Sequence, residues 1–283
     1  MIYQYVFGRE AGPLGALLDK KTHSRDYYFT RDTARIRLER SNCKVYTLTT
    51  PEGLKLKGFY YQAGEKPSDT IALIIHGYRS NHSETAGIFK ELYHSRGIDI
   101  FAVDNPAAGQ SEGELIGFGY TESRAAFLWL EMLGLEFGED VKIILHGFSL
   151  GGGAVLLMSD RVPDTVKFII DDCGFSGAPG ILKPQLGLLY QPLNVMNLVK
   201  TDFKLSLGMT RVKPHLKHAK VPVLFVHGMQ DKKVPFTMGK ELFRICPTYK
   251  DHLWVEQAGH MECVWLSPVE YGKKIDEFIA FFC

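Results

Sequence analysis

The sequence predicts one α/β domain organised on a mainly parallel sheet, and three observations predict it. From about residue 70 to the C-terminus, short apolar and β-branched runs alternate with helical patterns, which is the rhythm of strands crossing over through helices. One of those runs, residues 141–145, leads directly into a glycine-flanked serine and then into a helical stretch. The length of 283 residues, with 45% hydrophobic and 23% charged residues, suits one large domain with a full core.

Composition also narrows the function. The net charge of +1 gives no electrostatic drive toward nucleic acid or an anionic membrane. No apolar run reaches transmembrane length. Residues 1–20 are interrupted by Arg9, Glu10, Gly12, Pro13 and Gly15, which makes a poor secretory signal. The five cysteines, Cys43, Cys173, Cys246, Cys263 and Cys283, are odd in number and lack C-x-x-C spacing. That argues against a disulfide framework and a zinc site, and reduced thiols in a cytoplasmic protein are the simpler expectation.

Taken in order, residues 1–43 carry no motif with evident chemistry and read as a lead-in packed on the domain, with 26–40 a helix or extended piece. Residues 44–50 and 54–62 are alternating runs joined by Pro51-Glu52-Gly53, the pattern of an antiparallel hairpin at a sheet edge. Strands then follow over 70–75, 98–103, 141–145, 166–170, 221–226 and 252–255. Helices are predicted over 83–95, 120–133, from 150 onward, 235–245 and 267–282. About fifty residues without a clear strand separate the strands at 170 and 221. There Leu182, Leu186, Leu189 and Leu193 recur at helical spacing, followed by Val195, Met196, Leu198, Val199 and Phe203. A connection of that length is read as a helical cap over about 176–219, some of whose leucines line a pocket.

The residues that bear chemistry cluster at strand ends. Gly147-Phe148-Ser149-Leu150-Gly151 fits G-x-S-x-G, a strand-to-helix turn that exposes a serine hydroxyl. A phosphate-cradling loop is the rival use of such a turn, but no Lys-Ser or Lys-Thr closes it. A serine becomes a competent nucleophile only if a base takes its proton and a carboxylate orients that base. Asp231 follows the strand at 221–226 and His260 follows the strand at 252–255, in the order Ser, Asp, His. Asp171 and Asp172, which also follow a strand, remain rival acids. Among the other histidines, His146 reads as a packed core residue and His76 as a loop-ordering one, while His23, His82, His94, His215, His218 and His252 read as surface or helix residues. An oxyanion hole needs two backbone N–H groups, expected from Leu150 and from Tyr78 in the His76-Gly77-Tyr78 loop. Arg79 is a substrate-carboxylate contact or, as the favoured reading, a solvated loop charge.

With these blocks in order, residues 44–283 resemble the α/β-hydrolase superfamily. They are most similar to its bacterial serine aminopeptidase/esterase-like branch, which includes relatives of feruloyl and cinnamoyl esterases and acylglycerol lipases. Two further stretches carry the resemblance. Asp104 to Gly113 looks like the family's Asp-x-x-Gly-x-Gly-x-Ser-x-Gly loop, departing from it at Pro106 and Ala108, and His227-Gly228…Asp231…Val234-Pro235 looks like its acid loop. The resemblance implies a central sheet with helices on both faces and a small helical cap. It also implies esterase-type activity without a cofactor; the expected substrate is a small-molecule ester cleaved through an acyl-enzyme, with no metal, and the oligomeric state stays open. A peptidase or amidase, a thioesterase or acyltransferase, and a non-catalytic ligand binder stay open as alternatives.

Overall fold

The computed structural model describes residues 6–10, 25–187 and 206–283. Helix α1 (Arg25–Glu39) leads into β1 (Lys44–Thr49) and β2 (Lys55–Tyr61), an antiparallel pair closed by the Thr50 to Leu54 turn. Then come β3 (Thr70–Ile75), α2 (His82–His94), β4 (Asp99–Asp104), α3 (Tyr120–Phe137), β5 (Lys142–Phe148), α4 (Leu150–Met158) and β6 (Val166–Asp172). After β6 lie α5 (Ala178–Leu186), a 3₁₀ turn at Leu207–Thr210 and α6 (Lys213–Leu216). The chain ends with β7 (Val223–Gly228), α7 (Phe236–Ile245), β8 (Lys250–Val255), α8 (Cys263–Leu266) and α9 (Pro268–Phe282).

The eight strands form one sheet in the order β1-β2-β4-β3-β5-β6-β7-β8, with β1–β2 and β2–β4 antiparallel and every other pair parallel. Central strands such as β3 are buried along their whole length, as a sheet covered on both faces requires, whereas edge strand β1 is largely exposed. The register aligns Ile75 of β3 with Gly147 of β5, and Gly147 with Asp171 of β6. The C-terminal ends of three neighbouring strands therefore meet at one place, where an open α/β sheet gathers its functional loops.

One face of the sheet packs Trp129 of α3 and Val155 of α4 on Phe101, Leu145 and Phe225. The opposite face packs Phe89, Tyr93, Tyr271 and Phe278 on Ile74, Ile144 and Phe168, with Leu38 of α1 in the same cluster. A third, smaller cluster lies away from both, at the strand C-termini. It contains Leu182 from α5 together with Leu150, Phe118 and Val6.

The element boundaries depart from the sequence reading in several places: β5, β6 and β7 run on to Phe148, Asp172 and Gly228, and β8 begins at Lys250. Helix α3 continues to Phe137 because its last turn is held by backbone bonds and carries exposed residues such as Leu135, where no apolar stripe remains to signal it. Helix α8 is a single turn, too short for any periodicity to show. Leu189, Leu193, Val195, Met196, Leu198, Val199 and Phe203 lie outside the described residues. Among the described residues no helix is long and apolar enough to cross a membrane.

Candidate active site

Ser149 stands between β5 and α4 with φ 56° and ψ −108°, a backbone conformation that costs a non-glycine residue energy and persists only where its surroundings impose it. Those surroundings are packed backbone. A Cβ on Gly147 would collide with the Gly151 carbonyl, and one on Gly151 with the carbonyl of Ile75. The turn can close this tightly only because both positions lack a side chain. Ser149 donates its own N–H to the Asp172 carbonyl (2.8 Å), which ties the elbow to β6.

Three buried side chains meet there. Ser149 Oγ lies 2.8 Å from His260 Nε2, and His260 Nδ1 lies 2.6 Å from Asp231 Oδ2. With Nδ1–H donating to the carboxylate, Nε2 is left as the acceptor for the serine O–H. Asp231 is also fixed from its own loop, since its Oδ1 accepts the N–H groups of Lys233 and Val234, each at 2.8 Å. Burial alone would raise the Asp231 carboxyl, but the rings of His227 and His260 outweigh it and hold it well below the usual carboxylate range.

His227 is the residue that sequence reading left without a role. Its Nε2 donates to the Val234 carbonyl (2.9 Å) and stands 3.5 Å from the same Asp231 oxygen that His260 uses. Burial lowers its pKa, but the Asp231 carboxylate and the Val234 carbonyl raise it further than burial lowers it. The signal was present in the His227-x-x-x-Asp231 spacing across a strand end, which brings the ring back over the acid loop.

The other candidates fall elsewhere. Asp171 and Asp172 are fully buried, and burial pushes both carboxyls up to about 7. Asp172 accepts from the Tyr271 hydroxyl (2.9 Å), which also contacts His146 Nε2 (3.1 Å), while His146 Nδ1 meets Tyr93 (2.9 Å). His146 is thus a core residue, kept neutral by burial with a pKa of about 3. His76 donates from Nδ1 to the Gly77 carbonyl (2.7 Å) and accepts the Asn105 N–H on Nε2 (3.0 Å), so it joins the loops after β3 and β4. Asp104 accepts from the backbone N–H and the ring of His82 and from Gln110 N–H. In that loop the left-handed positions are Ala107 (φ 63°) and Gly109 (φ 50°), so the need for glycine that was read at 106 and 108 falls one residue later in each case. His23 lies outside the described residues.

Leu150 is the first residue of α4, where helix N–H groups have no acceptor within the helix. The loop after β3 runs beside the serine, since a Cβ on Gly77 would lie 3.5 Å from the Ser149 Cβ. Tyr78 follows in that loop and donates its hydroxyl to the Val6 carbonyl (2.9 Å). Arg79 is half-buried, and its guanidinium donates to the Gly8 carbonyl (3.3 Å).

Among the described residues, Cys173, Asp231 and His260 place potential metal-ligand atoms within 4.8 Å of one another. That set is already joined internally by the 2.6 Å His260–Asp231 bond. Burial also drives the Cys173 thiol well up, away from the thiolate that a metal would need. The arrangement is therefore built to hold a proton between two groups. All five cysteines are unpaired thiols.

No family model matches the chain. Among curated proteins, YqkD of Bacillus subtilis is 24% identical over 242 residues, which cover 83% of this chain and 78% of YqkD. The multifunctional-autoprocessing repeats-in-toxin of Vibrio cholerae is 33% identical over 124 residues, 41% of this chain, so the match spans only 3% of that much longer relative. Among solved structures, the Pyrococcus furiosus esterase Pf2001 matches with a TM-score of 0.69 at 19% identity, covering 87% of this chain and 93% of the esterase. The fold is that of the α/β hydrolases.

Proposed function

We propose that the protein is a serine hydrolase that cleaves small to medium carboxylic esters, with Ser149 as nucleophile, His260 as base and Asp231 as the acid that orients it. One observation carries the reading. The chain Ser149 Oγ–His260 Nε2 at 2.8 Å and His260 Nδ1–Asp231 Oδ2 at 2.6 Å stands at the N-terminus of a helix, buried on one side by the sheet.

In this reading His260 Nε2 takes the serine proton as Oγ attacks the ester carbonyl, and Asp231 stabilises the charged ring. The N–H groups of Leu150 and Tyr78 receive the oxyanion, and each such donor is worth about 3 kcal/mol in the transition state. As the tetrahedral intermediate collapses, the ring gives its proton to the leaving alcohol. A water deprotonated by the same nitrogen then attacks the acyl-enzyme, and as that intermediate collapses His260 returns the proton to Ser149 Oγ and the acid leaves. No step calls for a cofactor. In this reading the connection between β6 and β7, about 176–219, is the cap insertion of the 44–283 domain. Five unpaired thiols suit a reducing compartment and support a cytoplasmic location.

The test is hydrolysis of p-nitrophenyl esters from acetate to palmitate by the wild type and by Ser149→Ala. Turnover that disappears in the variant supports the reading. Turnover that survives Ser149→Ala, or its absence in the wild type at every chain length, overturns it.

A further inference from the structure

Residues 6–10 lie between two loops at the strand C-termini and are bonded to both. One is the loop after β4, which is itself tied down to the sheet. Ser111 Oγ donates to the Asp104 carbonyl (2.6 Å) and accepts the N–H of Lys57 in β2 (2.9 Å), and Glu112 N–H donates to the Lys55 carbonyl (2.9 Å). On that anchored loop Gly8 bridges Leu115, Arg9 N–H donates to the Glu114 carbonyl (2.8 Å) and Ile116 N–H donates to the Phe7 carbonyl (2.6 Å). The Arg9 guanidinium adds bonds to the carbonyls of Ser111 (2.8 Å) and Gly109.

The other loop follows β3 and, in the proposed mechanism, carries the second oxyanion donor, the Tyr78 N–H. It turns at Gly77–Ser80, where Ser80 N–H donates to the Gly77 carbonyl (3.2 Å). Its base is fixed by His76, which meets the Gly77 carbonyl through Nδ1 and the Asn105 N–H through Nε2. Its tip is strained. Arg79 takes φ 52°, in the left-handed region where a residue with a Cβ sits at a cost and stays only if its surroundings hold it. Two holding bonds come from the N-terminal segment: Tyr78 donates its hydroxyl to the Val6 carbonyl (2.9 Å), and the Arg79 guanidinium donates to the Gly8 carbonyl (3.3 Å). The same guanidinium lies over the Tyr78 ring, 4.8 Å from its centroid. A Cβ on Gly77 would stand 3.5 Å from the Ser149 Cβ, so a rotation of this turn is felt at the nucleophile.

We infer that residues 6–10 are a positioning strap for the oxyanion loop, in which the Tyr78 hydroxyl and the Arg79 guanidinium fasten the turn so that the Tyr78 N–H stays aimed at the reacting oxygen. The inference rests on the serine-hydrolase reading and extends it by naming side chains that act on the reaction without touching the substrate. An oxyanion donor counts only at hydrogen-bond distance from the charge that develops in the transition state, and removing one costs about 10²- to 10³-fold in kcat. Loosening its loop forfeits part of that. Ground-state binding of the ester is untouched, because the donor's contribution is made in the transition state. Two side chains that merely packed the N-terminal segment onto the domain would change stability and leave turnover as it was.

The experiment compares wild type with Tyr78→Phe, which deletes only the hydroxyl, with Arg79→Ala, and with Arg79→Lys, which keeps a donor. Each is measured for kcat and KM on p-nitrophenyl acetate, for the Ki of a trifluoromethyl ketone and for melting temperature. The ketone forms a hemiketal oxyanion on Ser149 and so reports the hole directly. The expected result is a fall of about tenfold in kcat for Tyr78→Phe and for Arg79→Ala, with KM within about twofold of wild type. The ketone Ki rises by the same factor as kcat falls, and Arg79→Lys stays closer to wild type. Unchanged kcat and ketone affinity in the folded variants overturn the strap and leave the hydrolase reading standing, as does a loss of kcat that leaves ketone binding unmoved. Should Arg79→Ala fail to fold, Tyr78→Phe decides alone. Labelling of wild-type Ser149 with a fluorophosphonate separates the two failures. Absence of both labelling and turnover removes the nucleophile, and the strap with it.

Discussion

Ser149, Asp231 and His260 each sit in a loop leaving the C-terminal end of a central or neighbouring parallel strand, and each is held by several hydrogen bonds. The apolar cluster that contains Leu150 is drawn from unrelated places: Phe7 from the N-terminal segment, Phe118 from the loop before α3, Leu182 from α5. The first three groups are polar and fixed by directional bonds to the sheet. The cluster is apolar and fixed largely by contact. Hydrogen bonds tolerate little displacement before catalysis suffers, whereas apolar contact can be rebuilt with side chains of other sizes. The first region is suited to keeping one chemistry, and the second to repacking.

The comparison can be broken most decisively at the nucleophile. Ser149→Ala should lower kcat by about 10⁶-fold while leaving the melting temperature within a few degrees, because only the hydroxyl is lost. Steady-state kinetics with a sensitive fluorogenic ester would read it. Next comes Asp231→Asn, which frees His260 to adopt the wrong tautomer and should cost about 10⁴-fold in kcat. A loss below tenfold would shift the acid's role to another carboxylate.

A smaller effect sharpens the picture on the acid side. Replacing His227 by Gln removes one of the two rings facing Asp231 Oδ2. Activity should fall about tenfold, the equivalent of one net hydrogen bond of about 1.4 kcal/mol. The Asp231 carboxyl should titrate at higher pH in the variant, since His227 helps to hold it below the usual carboxylate range. An unmoved carboxyl would make His227 merely a packing residue.

The smallest effect concerns stability. Burial pushes Asp171 up to about 7 from 3.8, so the folded protein keeps a proton that the unfolded chain releases. The stabilising contribution of this group is complete below about pH 4 and is lost as pH rises through 7. Asp171→Asn should therefore gain a few degrees in melting temperature relative to wild type between pH 5 and pH 8. The neutral core histidines His76 and His146 titrate in the opposite direction, destabilising the fold as pH falls below 6.5. They act equally in both proteins and cancel in the difference. A difference independent of pH would mean that Asp171 is ionised in the folded state throughout that range.

Most of the scaffold was legible in the sequence because a buried parallel strand is apolar almost throughout, as residues 71–75 and 143–145 are, and because each run is bounded by polar residues or a turn. Ser149, Asp231 and His260 could be placed at strand ends for a related reason, as each follows a recognisable strand, although β8 before His260 is polar at its start and only half-buried. Phe7 was not legible. An aromatic residue two positions before Arg9 and Glu10 carries no periodicity, and its burial depends on loops about a hundred residues away in the chain. His227 was hidden differently, because its role depends on how far the ring folds back toward Asp231. The Arg79 contact was not legible either, because its acceptor, the Gly8 carbonyl, lies about seventy residues away in the chain.

The packing of the elbow also decides what its sequence can report. At Gly147, Gly151 and Gly152 a single methyl group would strike the Gly151 carbonyl, the Ile75 carbonyl and the Asp171 carboxyl, respectively. Those three glycines are required by volume before any reaction is considered. A descendant of this chain that had lost its serine, and all turnover with it, would still keep them in order to fold. The glycines of the motif therefore record ancestry of shape, and only the hydroxyl between them, together with its histidine and carboxylate, records an activity.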